Sequence, residues 1–340
     1  MENNSPKSYL SQVRYLRKVA TAALKMYSIE VLKLKFINHG ENTTYKIISK
    51  QGNFLLRIHR KNYHSKNAIL EELEWLRQLS ENTDLIQKPL ASIKDLLVEE
   101  ITIDGPSDSR FCSVLTWVEG QMKYRSLSQD SMFKAGQLAG KLHSSASKLK
   151  VKHRNYWSPE GLLGSHAKLG SIRHLKSLIK KEEYEVLEEC RKLTLDKIEN
   201  YTSRNPHKST MIHADLHFGN IIWTKNQAIP IDFDDCGFGP HMYDLMIIAG
   251  LSDNLFKSSP KKIKKLFIES LLKGYSSIQN LSKDDLDILP YFKLTRQLAM
   301  TGWAYERRDN PYIFDHLKKK LKTDIPYFDK VLKKGPDTLY

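Results

Sequence analysis

The chain has 340 residues, 40% of them hydrophobic and 27% charged, and carries a formal net charge of +15. That is an ordinary globular composition, long enough for two domains or one bilobal unit. The stretch from Met1 to Pro6 lacks the basic-then-apolar order of a secretory leader. No apolar run reaches the roughly 20 residues that a membrane-spanning helix needs, and Cys112, Cys190 and Cys236 form no C-x-x-C pair of a disulfide framework or zinc site. The expectation is a cytoplasmic protein with free thiols and no membrane attachment.

In chain order, a helix is predicted from Tyr9 to Tyr27, with Leu10, Val13, Leu16, Ala20 and Leu24 as its apolar positions. Strands follow at Val31–Ile37, Thr43–Ile48 and Phe54–His59, the last two joined through the turn Lys50-Gln51-Gly52-Asn53. An amphipathic helix from Ala68 to Leu79 presents Ile69, Leu73, Leu76 and Leu79 on one side. Two more strands are expected at Leu96–Ile103 and Phe111–Val118. Antiparallel strands with one inserted helix make a small α+β lobe. From Ser128 the helical period dominates, at Met132–Ser145, Lys181–Tyr201, Met242–Leu251, Lys262–Tyr275 and Asp284–Glu306. The division falls near Glu119-Gly120, giving an N-lobe of residues 1–119 and a mostly helical C-lobe of residues 120–340 with a cleft between them.

The chemistry concentrates in the second lobe. His213-Ala214-Asp215-Leu216-His217-Phe218-Gly219-Asn220 fits the pattern H-x-D-L-x-x-x-N, and Asp232 follows 17 residues after Asp215. In a phosphoryl-transfer loop of that form the first Asp addresses a substrate hydroxyl, while the Asn and the second Asp offer hard oxygen ligands to Mg²⁺. His213 and His217 also spell H-x-D-x-H, which a metallohydrolase would use; that reading leaves Asn220 without a role, and His213 is better placed as a packing residue. Asp234 is either a further metal ligand or a solvated carboxylate. On the nucleotide side, the turn His39–Tyr45, with Asn42 and Thr43 at its centre, can offer backbone N–H groups to phosphate, though it is no G-x-G-x-x-G. Arg57 stands mid-strand where a kinase keeps a lysine, and Glu72 on the following helix is its expected partner.

These residues resemble the aminoglycoside phosphotransferase/choline kinase-like superfamily, and most of all its branch with the type II homoserine kinases and the bacterial stress-response kinase. The resemblance runs from Asn42 to Arg308 and rests on His213–Asn220, on Ile231–Pro240 and on Tyr243-Asp244-Leu245. Glu72–Leu76, Leu115–Gly120 and Leu138–His143 support it. It implies a bilobal protein-kinase-like fold, ATP and Mg²⁺ as cofactors, Asp215 as base, and Asn220 and Asp232 as metal ligands. It further implies Arg57 on phosphate paired to Glu72, and adenine against the backbone of Thr116 to Val118. Asp244 then steadies the catalytic loop. Arg57 in place of lysine departs from the pattern, as does the lack of an A-P-E segment after Asp232, which argues against a regulated eukaryotic-type protein kinase.

For the acceptor, Arg296, Met300, Trp303 and Arg307 fall at i, i+4, i+7 and i+11 on one helix face. That face suits an amphipathic acceptor bearing an anion, such as an amino acid carboxylate; the alternative is a core Met300 and Trp303 with surface arginines. A small-molecule hydroxyl of amino acid or amino alcohol type is the first expectation. A protein hydroxyl, as in a stress-response Ser/Thr kinase, comes second, and a non-catalytic nucleotide- or nucleic-acid-binding protein is the reading of another class. The basic clusters Lys257–Lys265, Lys318–Lys322 and Lys148–Arg154 lie on helical patterns without an aromatic-basic motif. They read as solvated faces, with no nucleic acid partner expected.

Overall fold

A computed structural model describes residues 9–81, 86–103, 109–122, 127–146, 151–165, 167–225, 227–255 and 261–337. The expectations at Met1–Pro6, Lys148 and Lys257 lie outside the described residues. The chain divides into two compact units: one runs to Gly120 and takes in Lys152–Arg154, the other holds Gln121–Val151 and everything from Asn155.

The first unit contains α1 (Tyr9–Leu24), β1 (Val31–His39), β2 (Thr43–Ser49), β3 (Gly52–Ile58), α2 (Lys66–Glu81), β4 (Pro89–Leu90), β5 (Glu99–Ile101) and β6 (Arg110–Thr116). Its strands form one antiparallel sheet in the order β1-β2-β3-β6-β4, with β5 also on β6. Ser49 pairs with Gly52, so β2 and β3 turn through two residues, and Gly52 takes φ +115 there. Alternation along the strands then sorts the faces. Tyr45, Ile47, Leu56, Ile58, Cys112 and Val114 pack with Leu16, Val19, Ala20 and Ala23 of α1. Arg57, between Leu56 and Ile58, points the other way, to Glu72 of α2.

Two expectations are corrected here. Leu10 is 64% exposed, because the buried stripe of α1 runs through Leu16, Val19, Ala20 and Ala23. The run Leu96–Ile103 keeps only β5 as strand, since Asp95 takes φ 58 in a turn whose N–H reaches Ser92 O.

The second unit contains β7 (Gln121–Met122), α3 (Gln129–Ser145), β8 (Asn155–Tyr156), α4 (Pro159–Leu163), α5 (Lys181–Arg204), β9 (Ser209–Ile212), β10 (Ile221–Trp223), β11 (Ala228–Pro230), β12 (Gly237–Pro240), α6 (His241–Leu255), α7 (Lys261–Ser276), α8 (Lys283–Glu306) and α9 (Pro311–Lys334). Two three-stranded sheets, β11-β10-β7 and β8-β12-β9, frame the loop after β9. Helices α3 and α7 meet backbone to backbone: a Cβ on Gly136 would lie 2.1 Å from Leu271 O, and one on Gly274 1.9 Å from Phe133 O. α8 begins with a reciprocal cap between Ser282 and Asp285. The sequence reading did not anticipate α9. Two prolines, Pro311 and Pro326, and a lysine run disguise a helix that buries Leu317, Leu321, Phe328 and Val331.

Candidate active site

Within the second unit, β9 delivers the loop His213–Asn220, and every turn of it is tied down. The N–H groups of His213 and Ala214 donate to the two carboxylate oxygens of Asp244 on α6, at 2.8 and 2.7 Å. Those bonds hold Ala214 at φ 64, a left-handed conformation that costs an L-residue about 1–2 kcal/mol. Asp244 is wholly buried and also lies 3.3 Å from His143 Nε2 on α3. The His143 ring stacks on His241 at 4.2 Å, and its Nδ1 is 3.0 Å from Tyr275 Oη on α7. His213 is an internal strut: Nδ1 accepts from Asp215 N–H and Nε2 donates to Ile231 O at 3.0 Å.

That strut brings the second acidic segment to the first. Ile231 N–H donates to Asn220 O at 2.9 Å and Phe233 packs on the His213 ring, so Asp232 is bracketed by two fixed neighbours beside Asn220. Asp232 is exposed and adopts φ 62. Backbone strain at a bracketed polar residue is a mark of functional sites. Asn220 Nδ2 donates to Asp215 O at 3.0 Å, which commits its amide nitrogen and leaves the amide oxygen as the donor atom for a cation. Asn220 and Asp232 thus each present an oxygen of the hard kind that divalent cations take. Asp234 is 6% exposed, so it is not the solvated carboxylate that was one of its two readings.

Asp215 keeps about a quarter of its side chain open, 25%. Its Oδ1 accepts from Arg296 Nη2 at 2.6 Å, and its Oδ2 lies 3.4 Å from Asn220 Nδ2 and 3.5 Å from His217 Nε2. Partial burial holds the His217 imidazole below its ordinary value, against the pull of Asp215. Burial acts to lower the Arg296 guanidinium, but Tyr243 and Asp215 outweigh it and hold the group above its usual range. Arg296 Nη1 is 3.3 Å from Tyr243 Oη. Arg296, Met300, Trp303 and Arg307, the helix face expected at the acceptor, are all half-buried. Arg296 bonds the loop at Asp215 Oδ1. Arg307 stacks on Trp303 at 4.4 Å and donates to its carbonyl at the end of α8.

In the first unit, Arg57 is buried, not a surface arginine, and its Nη2 donates to Glu72 Oε1 at 2.5 Å. Glu72 is shared: Arg154 Nη1 lies 3.6 Å from its other oxygen, with both side chains fully buried. The neighbouring Glu71 accepts the backbone N–H groups of Lys152, His153 and Arg154. Arg154 was read as part of a solvated basic face; burial on Glu72 corrects that. In the β1–β2 turn, Asn42 Oδ1 accepts from Arg60 N–H at 3.1 Å, and Thr43, buried, shares a 2.7 Å bond with His39. Both main-chain groups of Thr116 are engaged, its N–H with Lys88 O and its carbonyl with the Gln87 amide. Trp117 N–H donates to Asn53 O. Among the described residues neither main-chain group of Val118 has a hydrogen-bond partner.

The partners of Tyr243, Tyr275 and Arg154 were not foreseen from the sequence. Tyr243 adjoins the motif acid Asp244, and that adjacency was the available signal; Tyr275 and Arg154 had none.

A two-lobed set of elements with this loop and this acid pair defines a kinase-type phosphotransferase. Residues 33–283 match the phosphotransferase enzyme family, and the chain belongs to it. Amicoumacin kinase of Bacillus subtilis is 25% identical over 324 residues, covering 92% of this chain and 91% of that protein. A solved microcompartment-associated aminopropanol kinase superposes with TM-score 0.80 at 25% identity, covering 95% of this chain and all of that one. A solved amicoumacin kinase in complex with AMP-PNP and Ca²⁺ gives TM-score 0.74 at 22% identity, covering 94% of this chain and 96% of its own. The chain has the fold of these kinases.

Proposed function

We propose that the protein is an ATP- and Mg²⁺-dependent phosphotransferase that moves a γ-phosphoryl group to a hydroxyl of a small metabolite of amino acid or amino alcohol type. The observation that carries this reading is the His213–Asn220 loop, in which Asn220 is bonded to Asp215 while Asp232 is pinned beside it through Ile231. Asp215 orients the acceptor hydroxyl and takes its proton as the oxygen–phosphorus bond forms and the bond to the departing diphosphate breaks. A positioned base of this kind contributes about 10²–10⁴-fold. Asn220 and Asp232 hold Mg²⁺, which supplies positive charge to the transferring phosphate. Arg57, fixed by Glu72, reaches the nucleotide phosphates, and the turn at Asn42 and Thr43 covers them. Adenine pairs with Val118, because the main chain of Thr116 is already engaged. The names of the amicoumacin and aminopropanol kinases support a small-molecule acceptor.

The test is transfer from γ-labelled ATP with Mg²⁺ to a panel of amino acids, amino alcohols, aminoglycosides and a generic protein, with Asp215→Ala alongside. The expected result is label in a small acceptor with wild type, and about 10²–10⁴-fold less with the variant, which still binds nucleotide. Label in protein alone would move the acceptor to a Ser/Thr hydroxyl. An Asp215→Ala activity within a few-fold of wild type would remove Asp215 as the base.

A further inference from the structure

We propose that Arg296 reads an anionic group on the acceptor, so that the enzyme prefers hydroxy acids to the matching amino alcohols. The inference rests on Asp215 being the residue that engages the acceptor hydroxyl. In the resting structure Arg296 Nη2 occupies Asp215 Oδ1 at 2.6 Å, one of the two oxygens a hydroxyl could approach. Behind it, Nη1 sits 3.3 Å from Tyr243 Oη. Tyr243 cannot yield, because it is fully buried and its ring stacks near Trp157 at 6.0 Å and Phe292 at 6.3 Å. The guanidinium is therefore anchored through Nη1 on a buried tyrosine and through Nη2 on Asp215, and 24% of the side chain stays exposed. A guanidinium carries five donors, and two are engaged here.

An acceptor carboxylate would find a planar, permanently charged fork beside the base, the geometry that suits bidentate recognition. By drawing Arg296 toward itself it would also free Asp215 Oδ1 for the hydroxyl on the same molecule. An ammonium at that position would instead meet the fixed positive charge of Arg296. Asp215 itself is spent on Arg296 and on the hydroxyl. Trp303 and Arg307 do not extend the subsite to a small acceptor: they are occupied with each other, and seven residues along α8 is a rise of about 10 Å.

The decisive experiment compares pairs that differ only by a carboxylate: L-serine with ethanolamine, L-threonine with 1-aminopropan-2-ol, and L-homoserine with 3-aminopropan-1-ol. Phosphoryl transfer to each is measured with wild type, Arg296→Gln and Arg296→Lys. The expected result is a wild-type preference for the carboxylate member of about tenfold or more in kcat/KM, the effect of one charged hydrogen bond. Arg296→Gln should bring that ratio close to one by raising the KM of the acid, and Arg296→Lys should keep part of it. Parity in wild type, or preference for the amino alcohol, overturns the inference. So does an unchanged ratio with kcat reduced for both members, which would leave Arg296 as a positioning residue for Asp215 only. The same pairs are titrated calorimetrically into protein loaded with AMP-PNP and Mg²⁺. If no label moves but the carboxylate members bind better, and Arg296→Gln abolishes the difference, the anion subsite stands and the small-molecule kinase reading falls. If neither binding nor transfer distinguishes the pairs, the subsite falls.

Discussion

Asp244→Asn changes one atom and tests whether the catalytic loop is held from beneath. In the folded protein each carboxylate oxygen accepts one backbone N–H, from His213 at 2.8 Å and Ala214 at 2.7 Å, in a site of zero exposure. An asparagine keeps one acceptor and turns an NH₂ toward the other N–H. The loss of one charged hydrogen bond is about 1.5–3 kcal/mol, and a buried N–H left unsatisfied costs about 1–3 kcal/mol more. Together these give about 2.5–6 kcal/mol, and at about 2–4 °C per kcal/mol for a unit of this size the melting temperature should fall by about 5–24 °C. Function should suffer in a particular way. Ala214 would no longer be held left-handed, so Asp215 would drift and kcat would fall, while KM for ATP would stay near wild type. Thermal melting followed by circular dichroism and initial-rate kinetics read both effects. A melting temperature within about 2 °C of wild type would refute the strut, as would intact kcat with a raised KM for ATP.

Glu72→Gln should cost about 3–5 kcal/mol by leaving two buried guanidiniums, Arg57 and Arg154, without their shared carboxylate. Urea titration and the KM for ATP should both register it, and a stability within 1 kcal/mol of wild type would deny the buried cluster. Gly274→Ala places a methyl where only 1.9 Å separates it from Phe133 O, so α3 and α7 must part. Overpacking of this kind costs about 1–3 kcal/mol or more, and an unchanged melting temperature would show that the helices have room. His241 is held at about pH 2 by burial, reinforced by His143 and Lys208. Its folded value lies below its unfolded one near 6.5, so above 6.5 both states are neutral and stability is full. As pH falls from 6.5 toward about 2 the unfolded state takes up a proton that the folded state refuses, and stability should drop by about 1.4 kcal/mol per pH unit. His241→Gln should flatten that slope between pH 6.5 and 5 in denaturation midpoints, and an unchanged slope would assign it elsewhere.

How much of this was legible follows from what each feature depends on. β2, β3 and α2 of the first unit were readable because alternation and the 3.6-residue period carry them directly, as at Tyr45 and Ile47 on β2 or Ile69, Leu73 and Leu76 on α2. The loop and its acid pair were readable because their spacing is local. α9 was not, since its apolar positions are separated by Lys318, Lys319, Lys320 and Lys322 and only packing on α5 and α8 selects its face. Nor was the split of the Arg296–Arg307 face. Helical spacing places residues on one side of a cylinder, but not opposite a particular partner, and here Arg296 pairs with Asp215 while Arg307 lies on Trp303.

The support of the transfer loop shows why a short motif is not a sufficient description of the site. Two residues, Ala214 and Asp232, take left-handed backbone where glycine would be at ease. Ala214 is the pivot between two N–H groups that both reach Asp244, and Asp232 stands between Ile231 and Phe233, which are both fixed. The strain is sustained by groups far away in sequence. Asp244 stands on α6, its partner His143 on α3, and Tyr275 on α7, and the glycines that let α3 and α7 touch set the distance between the last two. A change at Gly136 or Gly274 therefore acts on Asp215 through four helical and loop segments without touching the motif. Rate and stability should fall together in such variants, whereas Asp215→Ala separates them, because the Asp215 side chain bonds Arg296, His217 and Asn220 while only its main chain joins the strut.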